Sequence, residues 1–292
     1  EYEGQPWVTN VSKPFFVSHG LFDRHISLWA SHGRYYDKKK ERWKWQRPNL
    51  FGTTEDLFTQ TIVVPYLIPM LENAGAVVYT PRERDWQRYE VVVDNDNGKG
   101  YVEDNGKERW TATNESGFAC HVGTYSDGEN PFCDGTARQV KAIRKGSESW
   151  ASYQPDFPQA GKYAVYVSYQ TVEKSVADAK YIVFHKGERT EFCVNQKMGG
   201  GTWVYLGTFD FDKGDSELNR VVLTNISEER GVVTTDAVRF GGGMGNIQRA
   251  GTTSGLPRCL EGARYSAQWA GAPYAVYGGR GGTDDYSDDI NT

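Results

Sequence analysis

HISLWASHG at residues 25–33 is followed by TTEDLFTQTIVVPYLIPMLENAG at 53–75 and by AVVYT at 76–80. The first and last stretches contain short apolar runs, which are typical of buried strands. The middle stretch predicts a helix, because Thr53 or Thr54 can cap its start, acidic residues follow in the first turn, and Gly75 can close its end. A strand, a helix and a second strand in this order predict a parallel βαβ unit.

The predicted helix has an apolar face and two internal prolines. Proline removes a helical hydrogen bond and its ring clashes with the preceding turn, so we expect kinks at Pro65 and Pro69. The apolar face comprises Leu57, Phe58, Ile62, Leu67, Ile68 and Leu71.

Two potential metal ligands lie at one edge of this unit. His32 comes directly after the first strand, and Glu55 opens the following helix. Ligands of open α/β sheets bind at the carboxyl ends of strands, and an imidazole with a carboxylate is half of a typical catalytic zinc site. A histidine–glutamate hydrogen bond, or a glutamate at the positive end of the helix dipole, explains the same residues without a metal.

A catalytic zinc site needs a third protein ligand, and no further residue has a diagnostic spacing. His25 lies at the opposite end of the same predicted strand, about 23 Å from His32. The other candidates are His19, His121, His185, Glu261, Asp284 and Asp285. We therefore expect an incomplete zinc site with weak metal binding and no turnover.

A long basic and aromatic loop at residues 31–52 separates His32 from Glu55. Long loops in compact domains are usually functional or disordered. Its prominent side chains either line a cleft for a glycan or a peptide, or fill the crevice as structural residues: Arg34, Tyr35, Tyr36, Trp43, Trp45 and Arg47.

Residues 90–244 consist of short alternating runs separated by Gly and Asp turns, which predict a β-sandwich. Tyr163, Val165, Val167 and Tyr169 share one face of a strand, and Lys186-Gly187 predicts a tight hairpin. After residue 245 we expect one amphipathic helix at 256–269 and a mobile acidic end.

The predicted fold class is therefore an α/β layer (residues 1–89 and 245–292) with an inserted all-β sandwich (residues 90–244). Because two strands make a poor core, we expect this layer to be incomplete and the chain to be a fragment of a larger protein.

Composition limits the partners. The net charge of −5 argues against nucleic acid or an anionic membrane, and no apolar run is long enough to span a bilayer. The first residues show no signal peptide, as expected either for a mature exported protein or for a chain trimmed at its start. Aromatic residues make up 14% of the chain, which suits sugar-stacking surfaces or a large β core. Cys120 and Cys133 either form a local disulfide, which export favours, or are free thiols.

Five residues of the predicted sandwich are candidates for glycan binding. Aromatic rings stack on sugars and amides bond to hydroxyl groups, but the same residues also suit a core or a turn. They are Trp150, Asn195, Gln196, Trp203 and Tyr205. The oxygen-rich runs at 94–106 and 126–135 lack the spacing of a calcium loop and predict solvated turns.

The segment from Ile26 to Asp85 resembles the opening of the zinc-dependent N-acetylmuramoyl-L-alanine amidases. In that family a histidine after a strand and a glutamate opening the next helix bind zinc, so the resemblance assigns these roles to His32 and Glu55. Pro81 interrupts the usual Thr-Arg pair, and the later histidine ligand and the catalytic glutamate have no counterpart in this chain.

A second resemblance covers about 150 residues. GKYAVYVSYQ at 161–170, the run from Ala179 to Phe211, and VVTTDAVRF at 232–240 resemble the golvesin/xanthan-lyase C-terminal-like domain, a carbohydrate-binding-like β-sandwich. The order of segments, with SGLPRCLEGARYSAQWAG following the sandwich, resembles exported bacterial proteins that combine both domains.

Three functions follow as hypotheses. The first is an exported cell-wall or polysaccharide-associated protein of zinc-amidase ancestry that binds glycan or peptidoglycan. The second is a non-catalytic carbohydrate-binding module. The third is a polysaccharide lyase, which needs a proton-abstracting group and a charge neutraliser near a uronic acid.

Overall fold

The computed structural model describes residues 4–15, 17–119, 123–278 and 285–292. These residues form two compact units. The first contains residues 4–15, 89–119 and 132–241, and the second contains residues 17–88, 123–131, 242–278 and 285–292. Residues 4–15 therefore lie with the strands of the sandwich, although the sequence grouped them with the α/β segment.

The strands are given in chain order: β1 (Val8–Asn10), β2 (His25–Ser27), β3 (Arg34–Asp37), β4 (Arg42–Trp45), β5 (Val77–Tyr79), β6 (Val91–Asp94), β7 (Tyr101–Asp104), β8 (Thr111–Gly117), β9 (Gly135–Lys141), β10 (Trp150–Tyr153), β11 (Asp156–Phe157), β12 (Gly161–Val167), β13 (Ala179–His185), β14 (Glu188–Val194), β15 (Val204–Phe211), β16 (Gly214–Asp215), β17 (Arg220–Thr224), β18 (Val232–Thr235) and β19 (Ala237–Phe240). The helices are α1 (Glu55–Ile62), α2 (Ile68–Asn73), α3 (Ala263–Trp269), α4 (Tyr274–Tyr277) and α5 (Asp285–Asn291).

The first unit is all-β, and the predicted sandwich is confirmed. One sheet has the order β1-β14-β13-β17-β10-β7, the second β15-β12-β19-β6, and a smaller one β18-β9-β8. Tyr181 and Val221 of the first sheet share one core with Val165, Phe211 and Phe240 of the second. This shared core is what makes the two sheets a sandwich.

Two local predictions in the sandwich can be compared with the structure. Lys186 and Gly187 have φ angles of +52° and +81° and join β13 to β14 as a two-residue turn, which confirms the hairpin. Tyr163 and Val165, which were predicted to share one face of a strand, are buried, and Ala164 between them is buried too. Strand β12 is therefore covered on both faces.

The second unit contains the predicted βαβ unit in a short form. Strands β2 and β5 pair in parallel, with His25 opposite Val77 and Ser27 opposite Tyr79. The first strand ends at Ser27, so His32 does not follow it directly, contrary to the prediction. Among the described residues no further strand joins this pair, so an amidase-like α/β layer is not shown.

The connecting helix starts and ends where predicted and is irregular at Pro65, whereas Pro69 lies in the first turn of the regular helix α2. The Thr54 side chain caps α1 by accepting a hydrogen bond of 3.3 Å from the Leu57 backbone N–H. The residues from Val63 to Leu67 form a π-helical turn around Pro65, which has no N–H and cannot continue a regular α-helix. Gly75 has a φ of +102°, in the left-handed region.

The apolar face of this helix is only partly as predicted. Ile68 is buried in the core of the second unit, whereas Phe58 and Ile62 are 58% and 48% exposed. No helix in the described ranges is long and apolar enough to cross a membrane.

The last part of the chain differs from the prediction. The prediction of a single helix at 256–269 is wrong. Gly262 has an extended backbone and separates a 3₁₀ turn at Arg258–Leu260 from α3. The mobile acidic end is wrong for residues 285–291, which form α5. There Asp285 is buried and accepts hydrogen bonds of 2.8 and 2.5 Å from the Arg249 guanidinium.

Candidate functional site

A polar cleft of about 370 Å³ opens on the first unit where three elements meet. Strand β7 supplies Tyr101 and Glu103, and β9 supplies Thr136 and Arg138. Since alternate residues of a strand point to the same face, each pair projects into the cleft together. The turn after β6 completes the lining with Asn95 and Asp96.

Arg138 and Glu103 form an ion pair in the lining of this cleft. The Nε and Nη2 atoms of Arg138 donate to the two carboxylate oxygens of Glu103 at 2.6 and 2.9 Å. The Tyr101 hydroxyl donates to Glu103 Oε1 at 2.7 Å. The hydrogen bond to Glu103 raises the pKa of Arg138, so the guanidinium stays charged at neutral pH.

Asp96 fixes the opposite wall. Its carboxylate accepts hydrogen bonds from the backbone N–H and the hydroxyl of Thr136, at 2.6 and 2.5 Å. The Asp96 backbone N–H in turn donates to the buried Asp94 side chain at 3.2 Å. These oxygens of the 94–106 run therefore hold a turn together, in agreement with the turn interpretation.

The cleft is suited to binding a hydroxyl-rich molecule. It presents carboxylate acceptors, a guanidinium and hydroxyl groups that are already held in place by one another. Asp96, Glu103 and Arg138 give the lining a formal charge of −1, because one positive and two negative side chains are present. Its position could be read from the sequence only in part, since 94–106 stands out as oxygen-rich but its pairing with β9 does not.

The two predicted glycan-binding amides serve the sandwich interior instead. Gln196 is fully buried, accepts from the Thr234 N–H at 2.9 Å and donates to the Thr234 carbonyl at 2.8 Å. Asn195 is 3% exposed and donates to the Gln5 carbonyl at 3.1 Å. Neither amide is accessible to a sugar.

The three predicted aromatic residues also differ in position. Trp203 is 8% exposed and packs against Phe118 and Phe132, so its ring faces are covered. Trp150 and Tyr205 are half-buried. None of the three lines the cleft at Glu103.

In the second unit, His32 and Glu55 converge on one guanidinium. Arg47 Nη2 lies 2.7 Å from His32 Nε2, and Arg47 Nε lies 3.8 Å from the Glu55 carboxylate. Because a guanidinium only donates, His32 Nε2 accepts this bond and the ring proton lies on Nδ1. Burial lowers the pKa of His32, and the positive charge of Arg47 lowers it further.

These residues do not fit a zinc ion. The lone pair of His32 Nε2 is engaged by Arg47, and a positive charge already lies beside both predicted ligands. Within the described ranges, no cluster of three His, Cys, Asp or Glu side chains can hold a metal. Asp284 and His121, two of the other candidates, lie outside those ranges.

Three further residues singled out in the sequence can be located in the structure: two bond to other side chains, and one is a free thiol. Glu261 is buried and its Oε1 accepts a hydrogen bond from Ser254, whereas Asp285 pairs with Arg249. Cys133 is exposed and carries a free thiol, and Cys120 lies outside the described residues.

The aromatic and basic loop forms the hairpin β3–β4. Trp43 packs on Tyr265 with ring centroids 4.8 Å apart, so this side chain fills space as in the structural interpretation of the loop. Arg34 lies over Trp45, 4.6 Å from the ring centre.

The sandwich is similar in sequence to known proteins. Residues 111–242 match the Golvesin C-terminal domain. A xanthan lyase from Bacillus sp. (strain GL1) is 30% identical over 96 residues, which are 33% of this chain and 10% of that enzyme. The chain thus spans about a tenth of the length of this relative. The Golvesin match includes Thr136 and Arg138 of the cleft, while the other lining residues precede it.

Two solved structures are also similar to this chain. The Paenibacillus xanthan lyase is 24% identical, with a TM-score of 0.41, over 52% of this chain and 13% of the enzyme. A family 35 carbohydrate-binding module from Clostridium thermocellum is 13% identical, with a TM-score of 0.32, over 52% of this chain and 97% of the module.

Proposed function

We propose that the first unit is a carbohydrate-binding module of an exported, polysaccharide-associated protein, and that the cleft at Asp96, Glu103 and Arg138 holds a sugar. The main observation behind the proposal is that three elements direct mutually fixed donors and acceptors into one open cleft. The Golvesin match and the identity with a xanthan lyase support the same class of function.

Vicinal hydroxyl groups of a sugar match the Arg138–Glu103 pair. One hydroxyl donates to the Glu103 carboxylate while its neighbour accepts from the Arg138 guanidinium, and charge-assisted bonds of this kind are stronger than neutral ones. Because the pair is already formed, little side-chain entropy is lost on binding.

The charge of the cleft selects among sugars. Both Arg138 donors that face Glu103 are engaged, and the lining carries a formal charge of −1. A uronate in this cleft would face uncompensated negative charge, so the proposed ligand is a neutral sugar.

Titration calorimetry with neutral oligosaccharides tests the proposal. Glu103→Gln and Arg138→Gln each break the pair, and we expect either change to weaken binding by at least about tenfold. Glu217→Gln with Arg230→Gln is the matched control, because both side chains are exposed on the same unit away from the cleft. Equal affinity of the cleft variants and the control would contradict the proposal.

The proposed function includes no zinc-dependent hydrolysis of peptidoglycan. That activity follows from the amidase resemblance of the Ile26–Asp85 segment, and the guanidinium of Arg47 beside His32 and Glu55 does not suit it.

Lyase chemistry is also left out. The described lining of the cleft contains no histidine, and burial raises the pKa of Tyr101 far above its usual value. Its phenol therefore stays protonated at neutral pH and is a poor base for proton abstraction.

A further inference from the structure

The tip of the β3–β4 hairpin is a concentrated positive charge on an acidic protein. Residues 38–42 have the sequence KKKER, with four basic side chains and one acidic side chain, hence a formal charge of +3. All five residues are exposed. The whole chain has a net charge of −5, so this tip has the opposite sign to the protein that bears it.

The tip is held in one conformation. The Asp37 carboxylate accepts hydrogen bonds from the backbone N–H groups of Lys39 and Lys40, at 3.1 and 3.2 Å. Lys44 holds the other oxygen of Asp37 at 2.9 Å. The backbone that carries the exposed lysines is therefore ordered before any partner binds, which lowers the entropic cost of binding.

The basic side chains of this tip differ in their neighbours. Lys38 lies 3.7 Å from the buried Asp285 and so is partly compensated. Lys39, Lys40 and Arg42 extend into solvent, and in the described part of the chain no acidic side chain lies within ion-pair distance of them. These three cations, with Glu41 between the second and the third, remain available to a partner.

We propose that this hairpin tip binds an acidic polysaccharide chain. A narrow, flexible polymer can reach the exposed cations at the end of a hairpin. A nucleic-acid duplex or an anionic bilayer presents a broad negative surface, which a protein of net charge −5 would meet with repulsion.

Binding of the full chain to polygalacturonate, measured by biolayer interferometry, tests this inference. We compare the unaltered protein with the combined variant Lys39→Gln, Lys40→Gln and Arg42→Gln. The expected result is a loss of affinity of at least about tenfold at about 0.01 M salt. The unaltered protein should also bind less tightly at about 0.1 M salt, where the screening length falls to about 10 Å.

The matched control removes three lysines from the first unit: Lys145→Gln, Lys174→Gln and Lys213→Gln. These side chains are exposed, and the net charge changes by the same amount. Equal weakening in both variants, no binding by the unaltered protein, or tip-dependent binding that is tighter to duplex DNA or to phosphatidylglycerol vesicles would overturn the proposal. Glu217→Gln, an exposed change on the first unit outside the lining of the cleft, should leave polygalacturonate binding unchanged.

Discussion

The Nε2 atom of His32 lies 2.7 Å from the Nη2 atom of Arg47, whose Nε atom also lies 3.8 Å from the Glu55 carboxylate. The two residues that suggested a zinc site therefore do approach a common point, but an arginine lies there. A guanidinium supplies positive charge without an open coordination position, so this arrangement cannot activate water as a bound metal does.

We accordingly expect no zinc uptake that depends on His32. Competition with a zinc-responsive chelator should give the same result for the unaltered chain and for His32→Ala, because the His32 lone pair is engaged by Arg47. Zinc binding that disappears in His32→Ala would show that the metal displaces Arg47, contrary to this prediction.

The stability of the second unit should depend on pH through Glu261. Burial raises the pKa of Glu261 to about 7, from an ordinary value of 4.5. Folding thus favours the protonated form of the Glu261 carboxyl. Its contribution to the free energy of unfolding is therefore complete below about pH 4.5 and declines as the pH rises toward 7. We expect Glu261→Gln to be more stable than the unaltered protein at pH 8, by up to about 3 kcal/mol, but not at pH 4.

Urea unfolding at both pH values measures this difference. The exposed Glu217→Gln serves as the control, and it should follow the unaltered protein at each pH. The same stability of Glu261→Gln and the control at pH 8 would show that the Glu261 carboxyl is better solvated than its burial indicates.

Gln196 should contribute to stability and not to sugar recognition. Its amide makes two hydrogen bonds with the Thr234 backbone and donates to the Tyr181 hydroxyl at 3.2 Å. Gln196→Ala leaves these buried groups unpaired, so we expect a loss of about 2–4 kcal/mol in the free energy of unfolding. Calorimetry should give unchanged sugar affinity for the folded fraction, whereas the exposed Asn114→Ala should change neither quantity.

Asp285 should hold α5 in place. It accepts two hydrogen bonds from Arg249 and one of 2.8 Å from the Tyr265 hydroxyl, and it is buried. Asp285→Asn leaves Arg249 paired with Asp127 alone, at 2.6 Å, and we expect a loss of about 1–3 kcal/mol. Hydrogen exchange of residues 285–292 should become faster. Asp212, which forms an exposed ion pair with Lys186, provides the control variant Asp212→Asn. Equal exchange rates in both variants would show that Asp285 does not hold α5 in place.

The features that were predicted correctly from the sequence depend on residues that are close together in the chain. The Lys186-Gly187 turn, the Thr54 cap and the disturbance at Pro65 each follow from the chemistry of a few adjacent residues. The parallel pairing of β2 with β5 was also predicted, because a strand–helix–strand order permits few arrangements.

Features that depend on distant residues were missed. The cleft requires β7 and a turn after β6 to meet β9, and nothing in YVED or TAR indicates that pairing. Arg249 lies 36 residues before Asp285, so the acidic end looked solvated although it has a buried partner. The role of Arg47 was likewise open. Residue type alone does not show whether its guanidinium lines a cleft or contacts other residues of the protein.

Strand β1 has a consequence for the order of events during synthesis. Val8 pairs with Val194 and Asn10 with Phe192, so the first strand of the sandwich lies beside one that is made more than 180 residues later. On the ribosome, the amino-terminal strand must stay unpaired while all of residues 17–88 emerges. Sheet closure is therefore a late event of high contact order, and the nascent chain passes through a stage with an open sheet edge.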